Sequence, residues 1–414
     1  MMATVAAQRR VPTLDPRHRI RTAVLPPVRA LRLRAPAGQP TRACDDRQGT
    51  PGSGVPRRGL LLAGVAASPL LPMLQARAGA APREAPVADV PMARLKLPAG
   101  ALGAGYALVP ISVGGVGPIE FMLDSGLTGE LVSPHLRMAL QLRGSGGAPV
   151  AGLGAGGATS PGELVTLEGA EIGGLPLPPL PAIVAPFPQE HLDPGHDPVE
   201  GMLGMEFLSL FDADLDFLAG RLRLWRPGAA RAVADRAGLA EVPAAVINDT
   251  GLLGIRVVPS TPSGKQQQPI LGIVDCGASF SVVNWAGAAA MGLPPRGDPS
   301  YASRPGVSVL GVDGKPFTLG TTQLGLDFAG EPFKRPGGAG LGFAPPPPGW
   351  VAWDPVDAGV GDMPVFGQLL GDGKGSAFRG PAALLGLDIW AQRRVVFEAA
   401  NGQSRRRRLY IAMR

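Results

Sequence analysis

The stretch Pro118-Ile119-Glu120-Phe121-Met122-Leu123-Asp124-Ser125-Gly126 has a counterpart further along the chain: Pro269-Ile270-Leu271-Gly272-Ile273-Val274-Asp275-Cys276-Gly277. Each reads as an apolar strand that ends in an Asp-Ser/Cys-Gly turn. Upstream of each lies another apolar run, Tyr106–Gly114 and Leu253–Val258, separated from it by turn-forming residues. Downstream come Leu131-Val132-Ser133 and Val282-Val283-Asn284, then short helical segments that close on Leu140-Gln141-Leu142 and Met291-Gly292-Leu293. A glycine-spaced element follows in both, Val150–Gly154 and Val309–Gly314.

The two stretches also end alike. Gly201-Met202-Leu203-Gly204-Met205-Glu206-Phe207-Leu208 matches Ala383-Leu384-Leu385-Gly386-Leu387-Asp388-Ile389-Trp390. Each is followed by a hairpin-like pair: Ala213–Phe217 with Arg221–Trp225, and Arg394–Phe397 with Leu409–Ile411. The order of correspondences makes the body an internal repeat, and the repeat carries one Asp-x-Gly per copy.

The pattern resembles the aspartic protease family in its two-lobed, single-chain form, with motifs nearest the retropepsin-like branch. The resemblance covers roughly residues 100–230 and 250–412. It implies an all-β, two-lobed acid-protease (pepsin/retropepsin-like) fold with an interlobe active-site cleft, the N-terminal lobe over 87–230 and the C-terminal lobe over 240–414. It implies a catalytic pair, Asp124 and Asp275, acting on a peptide or protein substrate with no organic cofactor and no metal. Two carboxylates about 3 Å apart cannot both ionise, so one activates a water and the other protonates the carbonyl.

Around the pair, Gly126 and Gly277 permit the tight turn. By resemblance, Ser125 and Cys276 fill the position that bonds lobe to lobe, the thiol weakly because it is a poor donor. Thr128 and Ser279 fit a supporting hydrogen-bond role. Leu127 departs from the small residue usual there, as Ala278 is, and is expected to narrow the cleft. A glycine-rich flap is expected over about Val150 to Pro161, and no Tyr lies between Asp124 and Gly204. Gly152–Gly157 lacks the Lys-Ser/Thr ending of a phosphate loop. No Gly-x-Ser-x-Gly elbow and no His-Glu-x-x-His occurs. His191 and His196 flank Asp193 in a Pro/Gly loop that reads as solvated.

Composition agrees with a turn-rich β protein. The chain has 414 residues with 60 Gly and 46 Pro and no Gly-x-y period, which excludes collagen and a mostly helical bundle. Two cysteines exclude a disulfide scaffold. The net charge of +6 belongs to the N-terminus: residues 1–80 hold 13 Arg and 3 Asp, and the remaining 26 basic and 30 acidic residues net −4. A nucleic-acid partner would need the basic residues on the body, so none is expected.

Residues 1–56 are rich in Arg, Ala and Pro and read as a disordered, transit-peptide-like segment. Residues 57–80 read as a twin-arginine-type signal peptide: Arg57-Arg58, an apolar run from Leu60, then Ala76-Arg77-Ala78. A bipartite presequence of this kind resembles those of chloroplast proteins bound for the thylakoid lumen; another organelle or secretion is the alternative. No stable membrane span is expected. Removal of the presequence takes Cys44 with it and leaves Cys276 as the single thiol.

A Pro/Gly-rich insert is expected at about 336–375, with Pro345–Pro348 exposed. Arg405–Arg408 is expected as a solvated turn. Beside the endopeptidase stand two rivals: a catalytically silent peptide-binding protein of the same fold, and an assembly factor that docks through the proline run. The oligomeric state is not encoded in any of these features.

Overall fold

The computed structural model describes residues 2–5, 85–154, 157–159, 161–193, 195–248, 250–260, 268–311, 316–336, 340–371, 378–400 and 406–414. The proposed presequence segments 1–56 and 57–80 lie outside these residues, apart from Met2–Val5, whose backbone pairs antiparallel with Ser308–Gly311. Of the glutamine run Gln266–Gln268, expected in a hairpin loop, Gln266 and Gln267 also lie outside.

Each half of the repeat folds into one lobe by the same path. In the first lobe, Tyr106–Val113 and Val116–Leu123 form an antiparallel hairpin. Gly114 and Gly115 close it with φ of +57° and +78°, the pair of positive values that a two-residue hairpin loop needs to follow the strand twist. In the second lobe, Leu253–Pro259 pairs antiparallel with Ile270–Val274. The returning apolar strands then thread between elements already formed. Gly201–Leu203 runs parallel to Phe121–Leu123 and antiparallel to Leu131–Val132. Ala382–Leu385 runs parallel to Leu271–Val274 and antiparallel to Val282–Val283. Strands flanked on both edges and both faces are read as continuous apolar runs rather than alternating ones, which is what these sequences show.

After each short strand a polar residue caps a one-and-a-half-turn helix. Ser133 accepts the Leu136 N–H at 2.9 Å to start Pro134–Ala139, and Asn284 accepts the Gly287 N–H at 2.7 Å to start Trp285–Ala290. Capping of this kind satisfies amides that have no intrahelical partner.

A third layer joins the halves. Its strands run in the order Leu239–Val246, Arg406–Ala412, Arg394–Phe397, Asp212–Asp216, Arg221–Trp225 and Ala88–Pro91. The seam between lobes is the Ala213↔Phe397 to Asp216↔Arg394 ladder. Asp214, fully buried, receives two bonds from Arg394 across this seam, at 2.7 and 2.6 Å. Asp212 accepts the Ala230 N–H from the first half and the Ala399 N–H from the second, both at 2.7 Å. The architecture is the all-β, two-lobed acid-protease fold expected from the repeat.

Two expectations about surface segments change. The stretch 336–375 is not one surface insert: Val356–Val360 pairs with Val282–Val283 and with Gly320–Leu324, and Pro364–Leu370 is a helix with Val365, Phe366 and Leu369 buried. The alternation of Gly and Pro masked a short apolar strand and a short apolar helix. Arg407 is not solvated either. It is buried on the last strand, where its guanidinium bonds the Ser209 Oγ at 3.0 Å and the Glu398 carbonyl.

Candidate active site

The threading strands fix where the two aspartates sit. The Asp124 N–H bonds the Leu203 carbonyl at 2.9 Å and the Asp275 N–H bonds the Leu385 carbonyl at 3.0 Å. Each turn is tied back a second time, Met205 N–H to Leu127 carbonyl at 2.8 Å and Leu387 N–H to Ala278 carbonyl at 2.7 Å. The two turns meet face to face. A Cβ on Gly126 would lie 2.2 Å from the Asp275 Cγ, and one on Gly277 would lie 2.1 Å from the Asp124 Cγ. Each carboxyl is therefore packed against the other lobe's glycine, and both aspartates are fully buried.

The backbone treats the two carboxyls unequally. Asp124 Oδ1 accepts one amide, Gly126 at 2.9 Å, whereas Asp275 Oδ1 accepts two, Gly277 at 2.9 Å and Ala278 at 3.0 Å. More N–H donors favour the charged form. Burial raises both carboxyls, and the charge of Asp275 raises Asp124 further, up to about 8. Oδ2 of each has no partner outside the pair, and the hydrogen bond between the two carboxyls raises Asp124 and lowers Asp275.

Ser125 and Cys276 cross-link the turns reciprocally. Ser125 Oγ accepts the Cys276 N–H at 2.9 Å and donates to the Val274 carbonyl at 3.2 Å. Cys276 Sγ accepts the Ser125 N–H at 3.3 Å and donates to the Leu123 carbonyl at 3.6 Å. The thiol side of the exchange is longer, as a larger and weaker hydrogen-bonding atom requires. Burial first, and then the two aspartates, push the Cys276 thiol up to about 12, so it stays protonated.

Other residues singled out by sequence are placed as follows. The Thr128 carbonyl accepts the Glu206 N–H at 3.0 Å, so its contribution here is made by backbone. Ser279 is buried, and its carbonyl accepts the Ala104 N–H at 2.8 Å from the segment entering the first lobe. Leu127 does not line the cleft. It is fully buried in a separate first-lobe core with Tyr106, Leu108, Met122, Phe187 and Met202. The glycine-rich segment does form a hairpin, Leu153–Gly154 with Gly157–Ala158, and Gly152 and Thr159 exchange bonds at its base. That hairpin lies against helix Pro364–Leu370 of the other lobe.

Glu130, Glu200, Asp212 and Asp214 are buried carboxyls that the sequence reading did not single out. Glu130, on the strand after the first turn, is buried and accepts the Phe207 N–H at 2.9 Å. The repeat register holds the signal: Glu130 occupies the place that Ser281 takes in the second lobe.

Residues 109–207 match a family model described as aspartyl protease. Among curated proteins there is no match. Two of the similar solved structures are these. The crystal structure of Basic 7S globulin from soybean is 14% identical, with 79% of this chain and 95% of that one covered and a TM-score of 0.39. A retropepsin-like aspartic protease from Rickettsia conorii is 18% identical, with 33% of this chain and 91% of that one covered and a TM-score of 0.22. Among the described residues no helix is long and apolar enough to cross a membrane.

Proposed function

We propose that this chain, which matches the aspartyl protease model over residues 109–207, is an endopeptidase that hydrolyses peptide bonds with a water activated by Asp124 and Asp275. The observation that carries the reading is the reciprocal packing of each carboxyl on the other lobe's glycine. It brings one acid from each copy of the repeat to a single point with no room for a side chain between them.

In this reading the pair shares one proton. Asp275, with two amide donors, is the carboxylate that takes a proton from water. Asp124 keeps its proton and gives it to the carbonyl oxygen as the tetrahedral carbon forms. The dyad titrates as a unit, and turnover fades once its second proton-binding step is passed. Activity therefore extends through acid and is lost as pH rises past the step at which Asp124, raised to about 8, gives up its proton; the proposed site of action is the thylakoid lumen, with another organelle or secretion as the alternative. Because both carboxyls are fully buried, substrate entry in this reading requires the cover over the pair to open.

The second reading, a silent peptide-binding protein, draws on the long thiol contacts of Cys276 at 3.3 and 3.6 Å, which grip the dyad less firmly than a hydroxyl. Incubation of the full chain with a peptide library across pH, with cleavage read by mass spectrometry and challenged with pepstatin, separates the two. Cleavage sites lost in Asp124→Asn establish the enzyme; binding without cleavage establishes the rival.

A further inference from the structure

The two lobes solve the same local problem with different chemistry. In the second lobe, Ser281 stands six residues after Asp275 and Asp388 two residues after Gly386. Ser281 Oγ–H donates to Asp388 Oδ1 at 2.7 Å, the Ser281 N–H bonds Asp388 Oδ2 at 2.9 Å, and the Gly386 N–H bonds Ser281 Oγ at 2.9 Å. This is a hydroxyl donor matched to a carboxylate, and it clamps the threading strand to the Asp275 turn. In the first lobe the equivalent positions are Glu130 and Glu206. Two carboxyls now face a task that needs one donor and one acceptor.

Glu130 is the inner of the two. Its Oε1 accepts the Phe207 N–H at 2.9 Å, and the amides of Gly204 and of Glu130 itself also point at the carboxyl. Its Oε2 is buried with no protein partner. Among the described residues no ion pair includes Glu130, and the ionisable group facing it is Glu206, an acid of the same sign. The amides favour the charged form, as they do at Asp275, but full burial with no counter-ion and beside a second acid outweighs them.

We infer that Glu130 is held as a protonated carboxylic acid in the folded protein, and that in this form it is a positioning residue for the Asp124 turn, doing for the first lobe what the Ser281 hydroxyl does for the second. Its carbonyl oxygen takes the Phe207 amide and so fixes the start of Met205–Leu208, whose Met205 amide in turn holds the Leu127 carbonyl. Ionisation places a second negative charge against Glu206 and loosens that clamp. Burial, and then Glu206, raise the Glu130 carboxyl to about 8, in line with this geometry. The consequence for catalysis rests on the endopeptidase reading above; the protonation state does not.

The test keeps the two apart. In the full chain, Glu130→Gln preserves a neutral carbonyl acceptor and removes the titration. It is expected to match wild-type Tm at about pH 5 and to exceed it above about pH 7, while Glu130→Ala is lower than Glu130→Gln at every pH because the Phe207 amide loses its acceptor. A Glu130→Gln profile parallel to wild type, or a Gln variant destabilised in acid, overturns the inference. Should the Gln variant not fold, wild-type chain carrying 13C only in its Glu carboxyls gives the answer. One Glu signal still protonated at neutral pH is expected; titration of every Glu by about pH 5 overturns it. If peptide cleavage is absent but that signal is present, the endopeptidase reading fails and the Glu130 assignment stands.

Discussion

The Cβ that Gly277 lacks would lie 2.1 Å from the carboxyl carbon of Asp124, so a residue of the second lobe sets the position of the acid of the first. Gly126 stands in the same relation to Asp275, at 2.2 Å. The backbone at neither glycine is left-handed, so space rather than conformation demands glycine here. Gly277→Ala is expected to force the turns apart at a cost of about 1–3 kcal/mol. Its effect on kcat should exceed its effect on Tm, since a small displacement of two carboxyls costs more in rate than in folding. Parallel measurement of Tm and kcat checks this, and a variant with wild-type kcat contradicts it.

Asp124→Asn replaces a largely neutral buried acid with a neutral amide of the same shape. The variant should keep its far-UV spectrum and gain Tm at neutral pH, where wild type must hold a buried acid that the unfolded chain would ionise. A thermal melt at about pH 7 that shows a loss instead would mean that Asp124 is ionised in the fold.

Cys276 should be nearly inert. A fully buried thiol raised to about 12 presents almost no thiolate, so a thiol reagent should label the native chain slowly and the denatured chain at once. Cys276→Thr should keep or raise activity, since a hydroxyl at this position restores the stronger exchange that Ser125 makes at 2.9 Å; the gain is about 1 kcal/mol. Rapid stoichiometric labelling of the folded chain would contradict the placement.

Stability should fall as pH rises. Asp388 is raised to about 6, and Asp124 and Glu130 to about 8, each mainly by burial. A group whose folded value lies above its unfolded value is protonated in both states in strong acid, and its contribution is greatest there. As pH climbs past about 4 the unfolded chain releases the proton while the folded chain retains it. Each such group then removes up to about 1.4 kcal/mol per pH unit until its folded value is reached. The Asp388 part ends near 6 and the other two near 8. Tm measured across pH should peak in acid, and a peak above neutrality contradicts the burial of these acids.

The lobe seam rests on Asp214 and Arg394. Arg394→Ala leaves a fully buried carboxylate with, among the described residues, only Arg223 at 3.6 Å to balance it. A loss of up to about 3 kcal/mol is expected. Asp214→Asn together with Arg394→Ala should recover part of it; chemical denaturation of the three variants provides the test.

Much of this was legible in the sequence because the repeat is local. Two strand–turn motifs, two apolar-apolar-Gly strands and two hairpins are each written in contiguous residues, and their order fixes the path of the chain. What was not legible depends on direction rather than identity. Leu127 follows a glycine turn, and its neighbours do not say whether it faces the cleft or the core. Val356–Val360 and Pro364–Leu370 are short and lie among Gly and Pro, so their apolar faces have no length over which a period shows. Arg407 sits in a basic run whose strand partners, Pro243–Ala245, come from far upstream. Glu130 needs both copies of the repeat in register before its oddity against Ser281 is visible.

The central claim is that Asp124 and Asp275 together activate water against a peptide bond. The most direct measurement is the rate of peptide cleavage by the full chain at about pH 4–5, compared with Asp124→Asn and Asp275→Asn, each shown to be folded by its far-UV spectrum. The account predicts cleavage by wild type, inhibition by pepstatin, and no turnover by either variant. Turnover at the wild-type rate by either folded variant, or none by wild type at any pH, contradicts it.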